Sequence, residues 1–212
     1  MLVLASASPR RRDLLTQVGY KFQVIPAEVC EDVRPGEEPI LYVLRLAREK
    51  AEAVARSAEV LGLAPGAADS AVILGADTTV VAPTGEILGK PENDGEAARM
   101  LRMLSGATHQ VITGVAVVAA GATEVAAEVT HVTFAYLSDD DIADYIASGE
   151  PQGKAGAYAI QGRAARWIPR IHGCYFNVVG LPLALATSMI DGAKRRSAVE
   201  AAAQSALFAR GA

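Results

Sequence analysis

The stretch Val72–Pro91, VILGADTTVVAPTGEILGKP, decides the reading, because it sets one carboxylate and one lysine into an otherwise apolar segment. The apolar runs Val72-Ile73-Leu74 and Val80-Val81 flank Gly75-Ala76-Asp77-Thr78-Thr79. Pro83-Thr84-Gly85 then supplies turn chemistry before Ile87-Leu88 and Gly89-Lys90-Pro91. The pattern predicts a hairpin with Asp77 at a strand end rather than on a surface. A carboxylate there needs a cation, a hydrogen-bond donor or a metal, since burying it alone is costly. An Asx turn with Thr79 would satisfy the same oxygens, so the rest of the chain must decide between a structural and a chemical Asp77.

With 212 residues, 51% hydrophobic and 21% charged, the chain can build a substantial core, and a single domain over residues 1–212 is expected. The balance of 20 basic against 24 acidic residues, net −4, argues against a general binder of nucleic acid or anionic membranes. Local positive patches for small anions remain open. No apolar run reaches the roughly 18 residues of a membrane span. The start, MLVLASASPRRR, places its charges after its apolar part, the reverse of a signal peptide, so a cytoplasmic protein is expected. Cys30 and Cys174 have no disulfide-framework or zinc spacing, and His109, His131 and His172 are scattered.

In chain order, Leu2–Ala5 reads as a buried strand, and Ser8-Pro9 as an N-cap and first helical position, with Gly19 as the stop. Arg10, Arg11 and Arg12 then occupy a first turn where the helix dipole favours negative charge. An anion bound by the loop amides and the arginines would remove that conflict; a solvated basic turn is the alternative. A second strand is expected over 21–25, then an acidic loop containing Glu31. A long amphipathic helix follows from Pro39 to about Leu61, with Lys50 beside its apolar stripe, and a loop over 62–69. Asn93-Asp94-Gly95-Glu96 resembles a capping box, and the S-x-x-D of Ser138 to Asp141 is read as a cap rather than a metal site. Two long strands, 109–119 and 124–136, suggest a β-ribbon. The glycine-rich segment 150–163, carrying Lys154, Tyr158 and Gln161, suits a loop passing close to a ligand. Strands are expected within 167–179, a helix over 183–190, and a tail over 193–212 of uncertain structure.

Gly85 to Lys90 imitates a P-loop but has one residue too few between its glycines and Pro91 where Ser or Thr should bind magnesium. Dinucleotide, nucleophile-elbow and zincin motifs are absent. What does match, in identity, order and spacing, is the set LASASPRR, Glu31, LAREKA, GADTTV, LGKP, LSGATHQVITGV, KAGAYAIQG and NVVGLP. This set resembles the Maf-like nucleoside triphosphate pyrophosphatases from about Leu2 to Pro182. The early SPRR and the glutamine of AYxIQG are similar to the branch described as acting on dTTP and UTP.

The resemblance implies an α/β fold of the Maf and inosine triphosphatase kind: a long twisted mixed sheet flanked by helices, two lobes and a central cleft. It implies a homodimer, and hydrolysis of dTTP, UTP or modified pyrimidine nucleotides to the monophosphate and pyrophosphate. Carried over, Asp77 would accept the proton; Arg10, Thr78 and Gln161 would set base choice. Ser8, Arg11, Lys50 and Lys90 would hold phosphates, and Glu31 would join Asp77 around a divalent metal, Mg2+ or Mn2+. An ordinary aspartate is too acidic to be a strong base at neutral pH, so metal assistance fits this residue set. Gln161 offers both donor and acceptor to a base edge. The competing expectations are a non-catalytic nucleotide-sensing regulator of cell division and a phosphatase releasing only the terminal phosphate.

Overall fold

A computed structural model describes residues 1–57 and 71–210, with side chains as far as Val199. The expected loop over 62–69 lies outside the described residues, as do residues 58–61 of the helix expected to about Leu61, which ends at Ala55 with Arg56 as its C-cap.

The N-terminal unit forms as its residues dictate. Strand β1 (Leu2–Ala5) is wholly buried, and α1 (Pro9–Gln17) begins with Pro9 after an extended Ser8 whose side chain makes no capping bond. Strand β2 (Phe22–Val24) and helix α2 (Pro39–Ala55) follow. Helix α2 buries Val43, Leu46, Ala47, Ala51 and Val54 along one stripe, as its apolar spacing requires. Next come β3 (Val72–Val81), β4 (Ile87–Leu88) and α3 (Asp94–Leu104). Asn93 caps α3 by accepting from the Glu96 N–H at 3.0 Å, but the Glu96 carboxylate turns back to the Glu92 N–H, so the box is only half closed. Strands β5 (Thr108–Ala119) and β6 (Ala122–Thr133) form the long ribbon, turning through Ala120 and Gly121, both at positive φ. Helix α4 (Asp139–Ala147) carries the complete Ser138/Asp141 capping box. Strand β7 (Arg170–His172) and helices α5 (Tyr175–Val179) and α6 (Leu183–Arg210) finish the chain.

Among the described residues the strands form one open, mixed sheet in the order β2-β1-β3-β5-β6-β7, with β4 also on β3. Strands β1, β2 and β3 run parallel, and the other pairings are antiparallel. Helices pack on its faces, giving the expected α/β architecture. One apolar cluster joins β4, α3, α4 and Trp167; another joins β1, α1, Leu181 and α6.

Three expectations need correction. The segment 72–81 is one continuous strand, so Asp77 lies in mid-strand, opposite Gly114 of β5, rather than at a strand end. Gly75 does not break this strand, because it serves helix packing instead of a turn. Within 167–179 only Arg170–His172 is strand; Arg163–Trp167 is a 3-10 turn and Tyr175–Val179 is helix. The second ribbon strand stops at Thr133: the Phe134 N–H still bonds across to the Ala107 carbonyl at 2.9 Å, but the Ala135 N–H bonds to the Trp167 carbonyl at 2.7 Å. Beyond Gly192, helix α6 simply continues to Arg210.

Candidate active site

Strands β1 and β4 pair with the same edge of β3, while β5 covers the other edge from Ile73 to Val81. On the shared edge β1 reaches only from Val72 to Gly75, and β4 covers only Val80 and Val81. Ala76–Thr79 therefore face no strand on that side. A cavity of about 750 Å³ opens at this gap.

Helix α2 brings in the first charged group. A Cβ on Gly75 would lie 2.3 Å from the Ala47 carbonyl oxygen, and one on Gly114 would lie 2.3 Å from that of Val43. Glycine at both places lets the helix backbone rest directly on the sheet. Gly75 and Asp77 are two apart on β3 and so share this face. Lys50 of α2 then donates to Asp77 Oδ1 and to Glu31 Oε1, both at 2.6 Å. Lys50 is 7% exposed and Asp77 8%, so this is a buried, paired charge rather than a solvated one. The same helix fixes the Glu31 loop: the Tyr42 hydroxyl donates to the Glu31 carbonyl at 2.9 Å, and Arg45 donates to that of Asp32 at 3.0 Å. Lys90, just past β4, reaches Glu31 Oε2 at 3.2 Å. Partial burial pushes the Glu31 carboxyl up, but Lys50 and Lys90 outweigh it and hold the group below the usual carboxylate range.

The opposite wall is a hydrogen-bond relay. Buried Arg11 donates through Nε to the Gly180 carbonyl at 2.8 Å, through Nη1 to Ser6 Oγ at 3.2 Å, and through Nη2 to Thr78 Oγ1 at 3.0 Å. Thr78 Oγ1 lies 2.9 Å from Thr113 Oγ1, which donates to the Asn177 carbonyl at 3.2 Å. The Thr78 hydroxyl is thus spoken for by the protein, and Arg11 retains two of its five N–H groups for other acceptors. Burial lowers the Arg11 pKa, and Asp77 works against that shift.

The segment 150–163 closes the cleft. The Glu150 carboxylate accepts from the Arg163 N–H at 2.9 Å, and the Gly156 N–H donates to the Gly89 carbonyl at 3.1 Å. Gly156 sits at φ 67° with Val80 where a Cβ would go, so only glycine brings this loop down on β3. Half-buried Arg10 faces Lys154 of the loop. Burial lowers both pKa values, and the Arg10 charge lowers that of Lys154 further. Neither forms an ion pair among the described residues, which leaves a cationic end to the cleft.

All of Ser8, Arg10, Arg11, Glu31, Lys50, Asp77, Thr78, Lys90 and Gln161 line this one cavity. Lys154, noted in sequence only as part of a ligand-facing loop, joins them. Ser6 is expected only to offer its loop amide to an anion, and Gly180 only as part of the NVVGLP match; both accept from Arg11, a contact that for Gly180 spans 169 positions. The described residues contain no group of three or more His, Cys, Asp or Glu able to cage a metal. Glu31 and Asp77 nonetheless point oxygens at one shared nitrogen. Two neighbouring hard oxygen donors fit a magnesium or manganese ion that takes its remaining ligands from water and phosphate.

A dTTP/UTP pyrophosphatase of Koribacter versatilis is 50% identical over 183 residues, covering 86% of this chain and 89% of its own. The protein of that name from Pelotomaculum thermopropionicum is 50% identical over 191 residues, covering 89% and 94%. That from Anaeromyxobacter dehalogenans is 49% identical over 193 residues, covering 89% and 92%. No described helix is long and apolar enough to cross a membrane. The model of the Maf-like protein family matches residues 1–193, which include every residue that lines the cleft, and the chain belongs to that family.

Proposed function

We propose that the chain is a nucleoside triphosphate pyrophosphatase that hydrolyses dTTP, UTP and modified pyrimidine nucleotides between the α and β phosphorus atoms. The observation that carries this reading is the convergence on one cleft of a buried aspartate with five cationic side chains: Arg10, Arg11, Lys50, Lys90 and Lys154. The names of the relatives point the same way.

In this reading the triphosphate lies along the cationic wall, held by Ser8, Lys50, Lys90 and the free N–H groups of Arg11. Asp77, at the unpaired edge of β3, accepts the proton of the water that attacks the α phosphorus. The α–β anhydride bond breaks, and the leaving pyrophosphate departs against Lys90 and Lys154, while Arg10 helps to set base choice. Glu31 and Asp77 would hold a divalent cation, which when bound lowers the pKa of water and neutralises developing charge. Gln161, exposed at the rim, presents its amide to the base edge, and Thr78 shapes the pocket through its bond to Arg11. A nucleotide-pool substrate carries a cytoplasmic location with it, and the homodimer implied by the resemblance is checked by light scattering.

The test is pyrophosphate release from a panel of nucleoside triphosphates with Mg2+ or Mn2+, wild type beside Asp77→Asn. Release from dTTP and UTP should fall by about 10²-fold or more in the variant, the scale of a lost general base. Orthophosphate as the product would identify a terminal phosphatase. Nucleotide binding without any turnover would identify a sensor.

A further inference from the structure

We infer that Lys50 is the resident counter-ion of the acidic pair and keeps free divalent metal out of the site until a nucleotide arrives. This rests on the metal-assisted reading above.

Lys50 Nζ stands 2.6 Å from both Asp77 Oδ1 and Glu31 Oε1, the two oxygens a metal would need. A divalent ion coming to those oxygens meets the ammonium at contact distance, in a place where burial weakens solvent screening. Its wider surroundings are no more welcoming, since among the described residues five cationic side chains and two acidic ones line the cavity. The ligand count is also short. Magnesium requires six oxygens in near-ideal geometry, and the chain offers two carboxylates at this point.

A triphosphate removes both obstacles. It brings oxygen ligands and several negative charges, and it offers Lys50 a different anion. The lysine stem is flexible, unlike the planar fork of an arginine, so the ammonium can change partners without moving α2. Helix α2 itself is seated on Gly75 and Gly114 and cannot tilt cheaply. Lys50 is thus both the partner that lets Asp77 be buried and the group that makes metal and nucleotide enter together. By linkage, each then tightens the other by the same factor.

The experiment measures Mn2+ binding to the full chain by the loss of the free-ion electron paramagnetic resonance signal, with and without the α,β-imido analogue of dUTP. Wild type should bind Mn2+ at least about tenfold more tightly with the analogue, within the usual range of coupled ligands. Lys50→Met removes the competing charge at similar length. It should tighten Mn2+ binding in the absence of analogue by about tenfold and shrink the coupling. Lys50→Arg keeps a cation at the acidic pair and should keep the weak metal-only affinity of the wild type. If Lys50→Met does not fold, Lys50→Gln serves the same comparison. Equal Mn2+ affinity with and without analogue, or an unchanged metal-only affinity in the neutral variant, overturns the inference while leaving the hydrolase reading intact. No Mn2+ binding even beside bound analogue overturns the metal reading itself.

Discussion

The Cβ that Gly75 lacks would stand 2.3 Å from the Ala47 carbonyl oxygen and 2.8 Å from the Ala51 N–H nitrogen. Both are helix backbone atoms, which no rotamer change can move aside. Gly75→Ala should therefore lift α2 off the sheet at the turn that carries Lys50. Overpacking of this kind costs about 1–3 kcal/mol, and rigid backbone on both sides places it at the upper end. Urea denaturation should show a lower midpoint with an unchanged slope. Activity should drop further than stability explains, because the 2.6 Å contact of Lys50 with Asp77 depends on the same seat. A variant as stable and active as wild type would show that this packing does not position the site.

Arg11→Lys tests the other wall. A lysine carries the charge but cannot serve Gly180, Ser6 and Thr78 from one planar fork. The expected loss is on the order of 3 kcal/mol, since hydrogen bonds from a buried charged donor are broken and their acceptors left dry. Base preference should relax as well, because Thr78 loses the donor that fixes its hydroxyl. Thermal unfolding and relative rates on UTP and CTP read the two effects separately. Retained stability would mean that Arg11 serves a bound anion alone.

The two walls also show what a sequence reader can reach. Lys50 stood out because a lysine beside an apolar stripe is anomalous on its own helix, and its 7% exposure agrees with that signal. Motif order was enough to gather nine residues into one cleft. Gly75 misled, since a glycine beside a polar run looks like a strand break when its partner, Ala47, lies far away in sequence. The segment 167–179 failed for a related reason. Its apolar residues divide between two core clusters, and buried Asn177 donates to the Val111 carbonyl and to Thr130 Oγ1, both at 2.9 Å. That tertiary bonding, and not local propensity, makes Tyr175–Val179 a helix.

Gln161→Glu addresses base choice without touching the acidic centre. The amide presents a donor and an acceptor, while the carboxylate presents acceptors only. A base edge that needs the donor should lose about tenfold or more in kcat/KM, and a competing base should gain relative to it. Ratios among UTP, dTTP and CTP measured in mixtures report this directly. An unchanged ratio would remove Gln161 from base recognition.

Buried His109 supplies a pH dependence of stability. Its Nε2 lies 2.9 Å from the Tyr158 hydroxyl, its ring meets Phe134 edge-on, and its Nδ1 has no partner among the described residues. Burial pushes its pKa down to about 4 from an ordinary 6.5. The folded chain thus keeps this imidazole neutral where the unfolded chain protonates it. The stability that follows is fully present above pH 6.5, is lost as pH falls toward 4, and declines no further from this source below that. The full swing is on the order of 3 kcal/mol. His109→Gln, neutral throughout, should be less stable than wild type at neutral pH but lose less between pH 6.5 and 4. Denaturant titrations across that interval measure the two slopes. Glu31, held below the ordinary carboxylate range by Lys50 and Lys90, is the same in both proteins, so the difference between the slopes isolates the histidine. Parallel slopes would show that His109 is protonated in the fold or that the core opens before the ring titrates.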